Sequence, residues 1–165
     1  MNVFVSLMTL LYLSCSASNE IQTPAIMENQ EETTPVDIEG LARVTDVSVS
    51  GETNNYNFSV TIASPDTGCD QYADWWEVFT EDGTLIYRRI LAHSHVNEQP
   101  FTRGGGGVAI GPDDVVYIRA HMNNTGYGTE VFKGSVSGGF VADELAQDFA
   151  TDLATQDPLP SGCAF

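Results

Sequence analysis

Positive charge is what this chain has least of. Six Lys and Arg stand against 23 Asp and Glu, a formal net charge of −17 over 165 residues. A surface so acidic repels nucleic-acid phosphates and anionic lipid headgroups, so neither is expected as a partner. It attracts cations and stays soluble in a salty medium. Recognisable site motifs are also missing. There is no D-x-D-x-D-G calcium loop and no G-x-S-x-G nucleophile turn. No segment repeats. The longest apolar run is shorter than the roughly 20 residues a membrane-spanning helix needs.

That run opens the chain. "MNVFVSLMTLLYLSC" has no charged side chain and reads as the apolar core of an export signal over residues 1–15, although no Lys or Arg precedes it. Within it, "YLSC" resembles the lipobox of bacterial lipoproteins, in which a Cys is lipidated after cleavage. Leu13 and Ser14 suit that motif, and Tyr12 stands where Leu is usual. The resemblance implies lipidation at Cys15 and contact with a membrane through that anchor alone. Ordinary cleavage near "SCSAS" is the alternative, and it would give a secreted protein. Either way the expected location is extracytoplasmic, in the cell envelope or beyond it.

Residues 16–36 are polar and acidic, hold two prolines and show no period of 2 or 3.6. They read as a disordered tether. Residues 37–165 are then one domain's worth of chain. Of the three cysteines, Cys69 and Cys163 remain as a pair once Cys15 is lipidated or removed. An exporting compartment is oxidising, so a Cys69–Cys163 disulfide is expected.

Inside the domain the signal is strand after strand. "NYNFSVTIA" alternates Tyr56, Phe58, Val60 and Ile62 against Asn57, Ser59 and Thr61, the period of a half-buried antiparallel strand. "ARVTDVSVS", "ADWWEVFT", "TLIYRRIL", "FTRGGGGVAI", "VVYIRAHM" and "EVFKGSVS" complete about seven strands. "EDG" marks a hairpin, and the glycine run marks a bulge. The expectation is an all-β fold, an immunoglobulin- or fibronectin-III-like antiparallel sandwich. In "ADELAQDFATDLA", Leu145, Phe149 and Leu153 fall four apart, which predicts a short C-terminal amphipathic helix.

Labelled A, B, C, C′, E, F and G, such strands bring all three histidines to one pole. C′ ends at His93 and His95, F ends at His121, and C begins near Cys69 and Asp74. Parity turns Trp75, Glu77 and Phe79 outward on C. It turns Tyr117, Arg119 and His121 outward on F, and Tyr87, Arg89 and His93 outward on C′, with Arg88 inward. Glu77 would lie between Arg89 and Arg119. A face bearing Trp75, Phe79, Tyr87 and Tyr117 is too apolar to stay wet. The C-terminal helix is its natural cover, with a protein or glycan partner as the competitor.

The stretch "HSHVNE" admits three readings. On the first, its histidines are ordinary loop residues satisfied by their neighbours. On the second, they hold copper or zinc, with His93, His95 and His121 as imidazole ligands and Glu98 or Asp74 in support. A metal-free enzyme is the third reading, and no catalytic set supports it. H-x-H followed by Glu resembles the first metal motif of the cupins, but Glu98 comes one residue early and the segment to His121 is too short. The functional expectation is an envelope-anchored, non-catalytic binding or scaffolding protein without a cofactor. The alternative is an extracytoplasmic copper- or zinc-binding protein.

Overall fold

The computed structural model describes residues 40–164. The export signal over residues 1–15, Cys15 and the tether over residues 16–36 lie outside the described residues. Nine strands follow in order: β1 Arg43–Glu52, β2 Asn55–Ala63, β3 Ala73–Thr80, β4 Leu85–Ile90, β5 Phe101–Val108, β6 Val116–Met122, β7 Gly126–Tyr127, β8 Glu130–Ser135 and β9 Gly139–Glu144. A 3₁₀ turn, Thr151–Thr155, comes last.

The strands form two antiparallel sheets. One has the order β1-β2-β5; the other has the order β4-β3-β6-β8-β9, with β7 beside β6. The alternation read from "NYNFSVTIA" decides which side of β2 is buried. Tyr56, Phe58, Val60 and Ile62 are all in the core, and they meet Trp76, Val78, Val116, Ile118 and Met122 of the second sheet. Asp82 accepts from the Thr80 hydroxyl and the Thr84 amide in the β3–β4 turn. Gly83 there adopts φ 83°, the left-handed region that Cβ disfavours.

The glycine run carries the expected bulge. Tyr56 faces Val108 and Phe58 faces Gly105, so β5 has one residue too many between those pairs. Gly105 also allows a close approach between the sheets. A Cβ there would lie 2.5 Å from the Tyr87 hydroxyl and 2.9 Å from the Trp76 ring.

Three expectations need correction. The chain after β8 makes a hairpin at Gly138 and Gly139 and returns as β9, paired from Ser135↔Gly139 to Glu130↔Glu144. "ADE" is therefore the end of a strand and not the start of a helix. Beyond it the predicted helix is replaced by turns and the single 3₁₀ turn, and Ala150 in the left-handed region (φ 48°) separates the two.

The parity of β4 is the second correction. Val78 faces Tyr87 and Phe79 faces Leu85, which leaves Ile86 as an extra residue. One extra residue reverses every side chain beyond it. Tyr87 and Leu91 therefore turn toward the inter-sheet core, and Arg88 and Ile90 turn to the outer face. The third correction follows from the second. Glu77 pairs with Arg88 and Arg119, whereas Arg89 donates from β4 to the Gly104 carbonyl of β5 at 3.0 Å.

Candidate functional site

The outer face of the larger sheet holds its own small core. Trp75, Phe79, Tyr117, Tyr127, Val131 and Leu153 are buried there, with Leu145, Phe149 and Ala150 against them. At its centre sits the Glu77 carboxylate, 0% exposed. Arg88 Nε and Nη2 donate to Oε2 at 2.9 and 2.5 Å, and Arg119 Nε donates to Oε1 at 2.8 Å. Both guanidiniums also lie over rings: Arg88 over Trp75 at 4.4 Å, and Arg119 over Tyr127 at 3.5 Å and Phe79 at 4.5 Å. Burial, and then the Glu77 charge, push the Tyr127 phenol well above its ordinary pKa, so Tyr127 stays protonated.

The remaining arginine donors hold the C-terminal segment by its backbone. Arg119 donates to the carbonyls of Phe149 and Ala150 at 3.0 and 2.7 Å. Arg88 donates to those of Leu153, Gln156 and Pro158 at 2.7, 2.5 and 3.2 Å. The cover expected over Trp75 and Tyr117 is therefore present, built as a turn-rich tail. Its end is fixed by the Cys69–Cys163 disulfide, with Cα atoms 5.5 Å apart. The Ala164 amide adds a bond to the Ala92 carbonyl at 2.6 Å. Of the face residues named from sequence, Trp75, Tyr117 and Arg119 lie under this tail. Tyr87 packs on Trp76 between the sheets, and Arg89 is exposed at the sheet edge.

The histidines occupy two settings. His121 stacks on Trp75 with ring centres 3.6 Å apart and planes 8° apart. Its Nδ1 is 2.7 Å from Oδ1 of the buried Asp74. His95 lies in the loop after β4, is 3% exposed, and stacks on Phe101 at 3.7 Å. Its Nδ1 is 3.8 Å from Asp66 Oδ2, beyond hydrogen-bond range, and neither ring nitrogen has a partner. Burial depresses its pKa, with the Arg103 and His93 charges adding to the effect. His93 is half-buried, its ring centre 4.6 Å from that of His95. Glu98 is exposed and pairs with Arg103 at 2.8 Å, which holds its carboxyl below the usual range. Among the described residues no group of three or more His, Cys, Asp or Glu is placed to hold a metal ion. The copper or zinc alternative gains no support from this geometry.

Asp66 is the polar residue that sequence reasoning missed. Its Oδ1 accepts from the Ser64 hydroxyl at 2.7 Å and the Ala73 amide at 2.9 Å, and its Oδ2 accepts from the His95 amide at 2.7 Å. One buried carboxylate thus ties the end of β2, the start of β3 and the histidine loop. Nothing in "SPDTGCD" distinguishes this Asp from a solvated turn residue. Arg88 did carry a signal, because an arginine turned into a core is costly.

Comparison with known proteins places one relative beside this geometry. Over 138 residues the chain is 34% identical to a protein of Halomicrobium mukohataei named "Putative lipoprotein". The match takes in 83% of this chain and 63% of that protein, so the chain spans less than two thirds of its relative. No family model matches the chain. No solved structure matches it either.

Proposed function

We propose that this is an extracytoplasmic, membrane-anchored domain, lipidated at Cys15, that binds or scaffolds and does not catalyse. The observation that carries the reading is the relative named as a lipoprotein, together with "YLSC" in this chain. We read the fold as immunoglobulin- or fibronectin-III-like. The order β1-β2-β5 opposite β4-β3-β6-β8 supports this, since it reads A-B-E opposite C′-C-F-G. β7 and β9 are then additions to that frame.

The aromatic face is covered, so a protein or glycan partner would meet another surface. The open face of the three-stranded sheet presents hydroxyl and amide groups in cross-strand rows. Ser48 faces Ser59, which faces Gly104, and Ser50 faces Asn57. A trough of about 460 Å³ runs between them over the glycines. The test is fractionation of cells expressing the full chain and a Cys15→Ser variant, with the mass of the mature N-terminal peptide. The reading expects membrane association and a lipid adduct on Cys15, both lost in the variant. Soluble, unmodified wild-type protein would refute the anchor.

A further inference from the structure

The described residues hold two hydrophobic clusters, one between the sheets and one on the outer face beneath residues 145–154. The tail contributes nothing to the first. It can therefore leave without opening the inter-sheet core. What it covers is not purely apolar either. The Glu77, Arg88 and Arg119 charges lie beneath it, and burying ions has a desolvation cost that water refunds when the cover lifts. The grip on the tail is mostly through arginine side chains to its carbonyls. Among the described residues, direct backbone bonding of the tail to the rest of the domain comes at its two ends, from the Leu145 amide to the Thr129 carbonyl and from the Ala164 amide to the Ala92 carbonyl. At the far end, Cys69 is exposed and Cys163 is half-exposed. A disulfide open to solvent is open to an attacking thiolate.

We propose that residues 145–164 are a strap whose catch is the Cys69–Cys163 disulfide. Reduction releases the strap and bares the face carrying Trp75, Phe79, Tyr117, Arg88 and Arg119, while the sandwich stays folded. The thiolate of a dithiol reductant attacks the exposed Cys69 sulfur, and Cys163 leaves as a thiolate. The reductant's second thiol then resolves the mixed disulfide. Two electrons and two protons pass to the protein, which ends with two thiols, and the reductant ends as a disulfide. The closed bond restricts how many conformations the freed tail can adopt. Its loss shifts the balance toward the open form. None of this depends on where the chain is anchored.

Hydrogen–deuterium exchange on the full chain tests the proposal, with oxidised protein, protein reduced by dithiothreitol, and a Cys69→Ala/Cys163→Ala variant. Amides of residues 145–164 should exchange at least tenfold faster in the latter two, with β2 and β5 unchanged. Iodide quenching gives a second readout, because Trp75 lies under the strap and Trp76 lies between the sheets. About half of the indole emission should become quenchable on reduction. Unchanged exchange in the tail would overturn the proposal, as would exchange that rises equally in β1, β2 and β5, which would make the disulfide a global staple. A freed tail with no gain in quenching would overturn the baring of the face.

Discussion

Replacing Glu77 by Gln keeps the volume of the side chain and removes its charge. In the native domain that charge answers two buried guanidiniums through three hydrogen bonds of 2.5–2.9 Å. Gln offers one neutral acceptor in place of two charged oxygens, so both arginines lose their counter-charge at once. Breaking a buried pair from one side costs about 3–5 kcal/mol, because the remaining charge is left desolvated. At about 4 °C per kcal/mol for a domain of this size, Tm should fall by about 12–20 °C. Urea unfolding with the disulfide intact gives the free energy directly. A triple variant, Glu77→Leu/Arg88→Met/Arg119→Met, should recover part of the loss, since no charge remains unpaired. A Glu77→Gln loss under about 1 kcal/mol, the value of an exposed pair, would show that the cluster behaves as solvated. The reading of this face as a second core would then fail.

The neutral His95 imidazole makes the fold acid-sensitive. Its folded pKa lies below the ordinary 6.5, so its contribution is complete above pH 6.5 and is lost as pH falls through the folded value. Stability measured against pH should drop in that window, and His95→Phe, which retains the stack on Phe101, should flatten the drop. Gly105→Ala sets a methyl against Tyr87 and Trp76 and should cost about 1–3 kcal/mol by overpacking, read from the urea midpoint; an unchanged midpoint would mean that the sheets move apart freely. Asp66→Ala strands the buried His95 and Ala73 amides and should cost at least about 1.5–3 kcal/mol, with the largest exchange increase in residues 91–100. A uniform increase across the domain would contradict the local role given to Asp66.

Period and parity made most of the fold legible. β2 could be read residue by residue, because each apolar side chain in it has a matching burial. β3 and β6 had the right outward sets, so Trp75, Glu77, Tyr117 and Arg119 could be placed on one face. β4 could not, since the bulge at Ile86 is set by pairing with Val78 and Phe79 and leaves no mark in "LIYRRI". The tail misled for a different reason. Leu145, Phe149 and Leu153 do share a buried cluster, but three backbone states bring them there: a residue past a strand end, a turn and a 3₁₀ turn. Spacing of four is satisfied by any path that returns to the same surface. The site was least legible where contacts are longest. Asp66 meets His95 across 29 residues, and no local pattern encodes that meeting.

The placement of the cations affects how the chain can be cut. Arg43, Arg88, Arg89, Arg103, Arg119 and Lys133 are all the Lys and Arg in the sequence, and each lies within a β-strand. A protease that cleaves after basic residues needs an extended, accessible segment, and it finds such segments mainly in loops and termini. Here the loops offer it no basic residue, and neither does anything before Arg43. An enzyme of that specificity finds no site within residues 1–42, and it reaches the basic residues of the domain when the ladders open. Its cleavage rate is therefore a direct reporter of strand opening, with the tail and the loops silent in the measurement.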